Sequence, residues 1–130
     1  MSEHPNVAAS RAGIEAFVKG DIATFSGMLA GDVVWHAPGN NQYAGTLNGK
    51  EETMARMGRL AQDGVAISFD IHDVVGNDEH VVAMVEATFT KGSNSARGRM
   101  VQVFHVRDGQ MREFWAFSED QAAVDAVMNS

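Results

Sequence analysis

Cysteine is absent from all 130 residues. That excludes disulfide cross-links, thiolate metal sites and cysteine nucleophiles. Basic charge is scarce: ten lysines and arginines face seventeen acidic residues, for a net charge of −7. Nucleic acid calls for a basic stripe. Cations gather only at Arg97 to Arg99 and at Arg107 to Arg112, the second group with acidic neighbours. The expectation is no nucleic-acid partner and a charge that serves solubility. Long apolar runs are missing as well; the longest are strand-sized, so no membrane partner is expected. The segment Met1-Ser2-Glu3-His4-Pro5 has no basic stretch followed by an apolar one, the mark of a secretion signal. With the missing cysteine, this fits a cytoplasmic protein.

What is present suits one globular domain, residues 1–130, with a core from about residue 7 to residue 128. Val7, Ile14, Phe17 and Val18 repeat at helical spacing between Asn6 and Lys19. Gly20 suits a helix end, and Asp21 the cap of a second helix carrying Ile22, Phe25, Met28 and Leu29. Val33 to His36 reads as a short strand that breaks at Pro38-Gly39. Asn48 with Glu51 resembles a capping box, opening a third helix with a stripe of Met54, Met57, Leu60 and Ala61. The period then changes. Ile67, Phe69 and Ile71 alternate with polar residues, His80 to Thr90 and Ala96 to Val106 read as longer strands, and Asp108-Gly109 signals a hairpin into Met111 to Phe117. Ser118 with Gln121 looks like the start of a terminal helix. Helices ahead of an antiparallel meander indicate an α+β fold with the helices on one sheet face.

Several segments in this order resemble the nuclear-transport-factor-2-like superfamily, and its SnoaL-like branch in particular. They are Lys19-Gly20-Asp21, the run from Asp32 through Trp35-His36-Ala37-Pro38-Gly39, Ala44-Gly45 to Gly49-Lys50-Glu51, and Arg107 to Met111 with Glu113 and Trp115. The resemblance runs from about Val7 to Met128. It implies a cone-shaped, curved mixed β-sheet with N-terminal helices on its concave face, a cystatin-like roll around an apolar pocket. It also implies a homodimer formed through the outer sheet face. Relatives of this kind include ketosteroid isomerases, scytalone dehydratase, limonene epoxide hydrolase, polyketide cyclases and binding modules without catalysis, so the fold alone does not assign a function.

By register with the family, His36 falls where the isomerases carry their general base, and a neutral histidine can take a proton next to a carbonyl. The isomerases' first-helix tyrosine would fall near Gly13, which has no side chain, and their protonated carboxylic acid near Arg99. Glu119 falls close to the acid/base aspartate that SnoaL-like cyclases place after a tryptophan, here Trp115. Glu86 interrupts an apolar strand, where a covered carboxylate is costly unless paired. It shares a face with Met84, while His105 shares one with Arg99, Val101 and Val103; Gln102 lies opposite with Met100 and Phe104. Strand parity leaves open which face lines the pocket. The expected catalytic set is therefore His36, Glu86, Arg99 and Glu119. The expected ligand-binding set is Trp35, Tyr43, Met84, Val101, Val103, His105, Trp115 and Phe117. No helix carries two histidines four apart, so no metal is expected, and no cofactor. The function expected is a small-molecule pocket, either a cofactor-free isomerase, cyclase or dehydratase acting on an apolar carbonyl compound, or a non-catalytic ligand-binding or dimerisation domain.

Overall fold

A computed structural model describes residues 3–130. Met1 and Ser2, which head the segment that reads as lacking a secretion signal, lie outside them. Helix α1 (Pro5–Lys19) buries Val7 and Ile14 and ends where Gly20 adopts φ 76°. Asp21 then caps α2 (Ile22–Gly27), its carboxylate accepting from the Thr24 N–H at 3.3 Å. The second helix is shorter than its apolar pattern suggests. Met28 closes it, and Leu29, with 0% exposure, already begins strand β1 (Leu29–Ala37). A four-residue strand absent from the sequence reading, β2 (Gly45–Asn48), pairs antiparallel with β1. It is too short to show alternation.

Gly49 precedes α3 (Lys50–Gln62), and Glu52 rather than Glu51 reaches back to the Asn48 N–H, at 3.2 Å. The inward face of α3 also differs from the expected stripe: Thr53 is buried and Ala61 exposed. Strands β3 (Val65–Gly76), β4 (His80–Lys91), β5 (Asn94–Arg107) and β6 (Gln110–Ser118) follow as a meander. The β5–β6 hairpin turns on Asp108 and Gly109, both at positive φ (54° and 75°), as a two-residue turn between twisted strands requires. Helix α4 (Gln121–Met128) is capped by Asp120, not Ser118, through the Ala123 N–H at 3.1 Å.

The sheet order is β2-β1-β6-β5-β4-β3, with β1 parallel to β6 and every other pair antiparallel. Register shifts break the β1–β6, β3–β4 and β5–β6 ladders. Such bulges bend strands and increase twist. The result is a curved open sheet. Its helix-covered face carries the core rows Val81-Ala83-Val85-Ala87-Phe89 of β4 and Met100-Gln102-Phe104-Val106 of β5. Phe17 of α1 stacks on Phe69 of β3, with centroids 5.6 Å apart, fixing the first helix against the sheet. Gly13 makes room in the same layer, since a Cβ there would meet the Met28 sulfur at 2.9 Å. No helix among the described residues is long and apolar enough to cross a membrane.

Candidate functional site

Parity along β1 sends Trp35 to the concave face and His36 to the opposite one. Trp35 stacks on Phe114 of β6, centroids 3.8 Å apart. Together with Phe25, Phe69, Phe104 and Met57 they wall a cavity of about 130 Å³ between the helices and the sheet. Tyr43 closes one side. It is 2% exposed, and its hydroxyl donates to Asp63 at 2.8 Å. The Arg59 guanidinium and the Lys91 ammonium approach its ring at 5.1 and 5.5 Å.

The loop carrying Tyr43 is tied down along the mouth. Asp125 of α4 accepts from Asn41 Nδ2 at 2.8 Å, from Gln121 Nε2 at 3.0 Å and from the Asn40 N–H at 3.0 Å. Partial burial pushes the Asp125 carboxyl up, but these hydrogen bonds outweigh it and hold the group below the ordinary carboxylate value. Gln42 adds bonds to Asn129 and to the Met128 carbonyl. Gly39, at φ 103°, passes so close that a Cβ would collide with the Asp125 carboxylate and the Gln121 amide.

Inside the cavity two polar groups stand out. Gln102 is 2% exposed; its Oε1 has no partner, and its Nε2 meets only the Met100 sulfur, at 3.8 Å. Arg56 of α3 lines the same space with its Nη1 buried and unpartnered, and the guanidinium makes no ion pair or hydrogen bond among the described residues. Thr53, by contrast, spends its hydroxyl on the Gly49 carbonyl at 2.9 Å. Among the described residues, no aspartate, glutamate or histidine lines the cavity. A second hollow of about 440 Å³ lies beside α4 and shares Phe89, Ser118 and Val124 with the first.

The four expected catalytic residues do not meet in this cavity. His36 points outward, with Nε2 2.6 Å from Glu113 Oε2, Nδ1 3.3 Å from the Thr46 hydroxyl, and its ring stacked on Trp115. Glu86 accepts from Arg97 Nε at 2.6 Å, and Arg97 also reaches Asp70 at 3.0 Å. Arg99 donates to Glu119 through both Nε (2.8 Å) and its backbone N–H (2.7 Å). The Arg99 side chain, then its N–H, hold the Glu119 carboxyl below its ordinary value. Each of these groups is already satisfied by a protein partner.

Of the expected ligand-binding residues, Trp35 and Tyr43 line the cavity. Met84, Val101, Val103, His105, Trp115 and Phe117 do not, because they alternate with the buried rows of β4, β5 and β6 and so lie on the outer face. The polar lining residues Arg56 and Gln102 were not in the expected set. A signal existed for both: Gln102 is the lone polar residue in the Met100–Phe104 row, and Arg56 sits at helical spacing with Thr53, Met57 and Leu60.

Residues 10–114 match the SnoaL-like domain family. The chain belongs to that family. Among curated proteins, none matches its sequence significantly. A solved Xanthomonas campestris protein of unknown function with a cystatin-like fold is 26% identical, with 96% of this chain and 98% of that chain covered and a TM-score of 0.88. A protein provisionally described as a polyketide cyclase, from Xanthomonas campestris pv. campestris, is 22% identical over 96% and 97% of the two chains, TM-score 0.78. An epoxide hydrolase of M. tuberculosis, described as LEH-like, is 19% identical over 95% and 89%, TM-score 0.77. At these identities the last two likenesses speak to the fold of this SnoaL-like chain, which is that of the nuclear-transport-factor-2-like proteins.

Proposed function

We propose that this SnoaL-like domain binds a small, mainly apolar molecule in its concave cavity and performs no acid/base chemistry on it. The observation that carries this reading is the lining itself: aromatic and aliphatic walls, two unpaired polar groups to orient a ligand, and no carboxylate or imidazole to move a proton. Concave, mostly apolar sites with few placed polar groups are the usual form of small-molecule sites. Proton transfer needs a group within hydrogen-bond reach of the reacting atom; His36, Glu86 and Arg99 stand across the sheet from this space, and Glu119, held by Arg99 beside Gly98, does not line it. The outer face, where half-exposed Val103 and Trp115 adjoin exposed Val101 and Phe117, is proposed to pair with a second copy.

The test follows Trp35 fluorescence in a Trp115→Phe background during titration with single-ring hydrocarbons, phenols, cyclic ketones and epoxides. Saturable one-to-one quenching without turnover is expected. Turnover of a ketone or epoxide, or no saturable binding across the panel, would overturn the reading.

A further inference from the structure

We infer that the cavity selects a hydroxylated single-ring carboxylic acid, its carboxylate paired with Arg56 and its hydroxyl with Gln102. The inference rests on the proposed binding function and names the ligand class. Size comes first. The cavity measures about 130 Å³. An engineered apolar cavity of about 150 Å³ is filled by benzene. One ring fits within this volume.

Polarity then narrows the ring's substituents. Arg56 is half-buried, and a guanidinium nitrogen taken out of water is costly unless paired. Yet Arg56 has no protein partner among the described residues, and its Nη1 is buried. The planar fork of arginine matches a carboxylate with two parallel hydrogen bonds. Among the described residues no acidic side chain lines the cavity to pair with Arg56 or to repel an incoming anion. Most other basic side chains near acidic groups in this chain do have partners, as Arg97, Arg99 and Arg112 show. Arg112 also has a buried, unpartnered Nε, but its Nη1 pairs with Asp32, whereas Arg56 lines the cavity and has no carboxylate partner among the described residues.

Gln102 supplies the second contact. Its amide is buried with an unpartnered oxygen and only a sulfur beside its nitrogen. Amide oxygen and nitrogen are assigned from their surroundings and can exchange places. A hydroxyl both donates and accepts, so it satisfies Gln102 in either orientation. A ligand with an acid at one position and a hydroxyl at another answers both orphaned groups at once, and neither a plain hydrocarbon nor a simple ketone does.

The test is calorimetric titration of the whole protein with para-hydroxybenzoate, benzoate, phenol and toluene, on wild type, Arg56→Met, Arg56→Lys and Gln102→Leu, with each variant's fold checked by its melting temperature. Para-hydroxybenzoate is expected to bind most tightly. In Arg56→Met the ratio of acid to neutral-ring affinity should fall by about tenfold or more, the usual size of a charge-assisted hydrogen bond lost. Arg56→Lys should retain part of that preference. Gln102→Leu should erase the advantage of para-hydroxybenzoate over benzoate. Equal affinity of wild type for toluene and the acids, or an acid preference that survives Arg56→Met, would overturn the inference and leave the binding function standing. Failure of all four probes to bind would overturn the inference as well, and the binding function would then rest on the ketone and epoxide titrations.

Discussion

The two faces of the one sheet treat polar side chains in opposite ways. On the outer face the charged groups have partners: His36 with Glu113 and Thr46, Arg97 with Glu86 and Asp70, Arg99 with Glu119 at the sheet's end, and Arg112 with Asp32, although Arg112 Nε itself is buried and unpartnered. On the concave face Gln102 is buried with its Oε1 unpartnered, and half-buried Arg56 has its Nη1 buried without a partner among the described residues. Exposed ion pairs add little to stability and can form by proximity alone. A buried polar group without a partner works against folding and calls for another explanation. The face that looks chemically richer in the sequence is thus the settled one. The sparse face holds the candidate site.

The largest expected break in this comparison comes from matched aromatic truncations. Phe104→Ala on the concave face should cost about 3–5 kcal/mol in denaturant unfolding. Phe117, which is 61% exposed, should cost the monomer no more than about 0.5 kcal/mol on truncation. Its substitution by serine should instead weaken self-association, read by sedimentation. Equal folding costs at the two positions would contradict the assignment of faces.

A middle-sized effect is expected at the mouth. Gly39→Ala forces a side chain into the Asp125 carboxylate at a left-handed backbone position, and should cost about 1–3 kcal/mol. Faster amide exchange in residues 39–43 would show that the loop has been released. The same latch has a pH signature. The folded Asp125 carboxyl lies below its ordinary value. Its contribution is therefore complete above the ordinary carboxylate range and is lost as pH falls through the lowered folded value. Melting temperatures of wild type and Asp125→Asn should converge in strong acid and separate toward neutrality. Parallel curves would mean that the latch carries no pH dependence.

The smallest effect sharpens the comparison most. His36→Ala should cost at most about 1 kcal/mol, as a partly exposed pair does, and should leave ring-probe affinity unchanged. A tenfold fall in that affinity would place His36 on the binding path and join the two faces after all.

Much of the fold is legible in the chain. The meander appears in alternating apolar residues, the helix breaks at Gly20-Asp21 follow from local backbone chemistry, and Asp108-Gly109 names its own hairpin turn. The errors fall where local pattern competes with tertiary pairing. Leu29 extends a helical stripe, yet it is drawn into β1 alongside Met111 of β6. The segment Gly45–Asn48 has no strand signature and becomes one only because β1 offers it an edge.

The candidate site was less legible, for a different reason. Alternation tells which residues share a face and is silent on which face the helices will cover. That rule groups Glu86 with Met84, His105 with Arg99, Val101 and Val103, and Gln102 with Met100 and Phe104; only packing tells which groups face the helices. The amino-acid sequence by itself determined the family, the α+β order and the pairing of residues into faces, because these depend on local geometry and spacing. Tertiary structure alone decided that Trp35 faces inward and His36 outward, and that Arg56 and Gln102 share a cavity. That outcome depends on contacts between distant segments, and a shift of one residue in strand register exchanges the two faces.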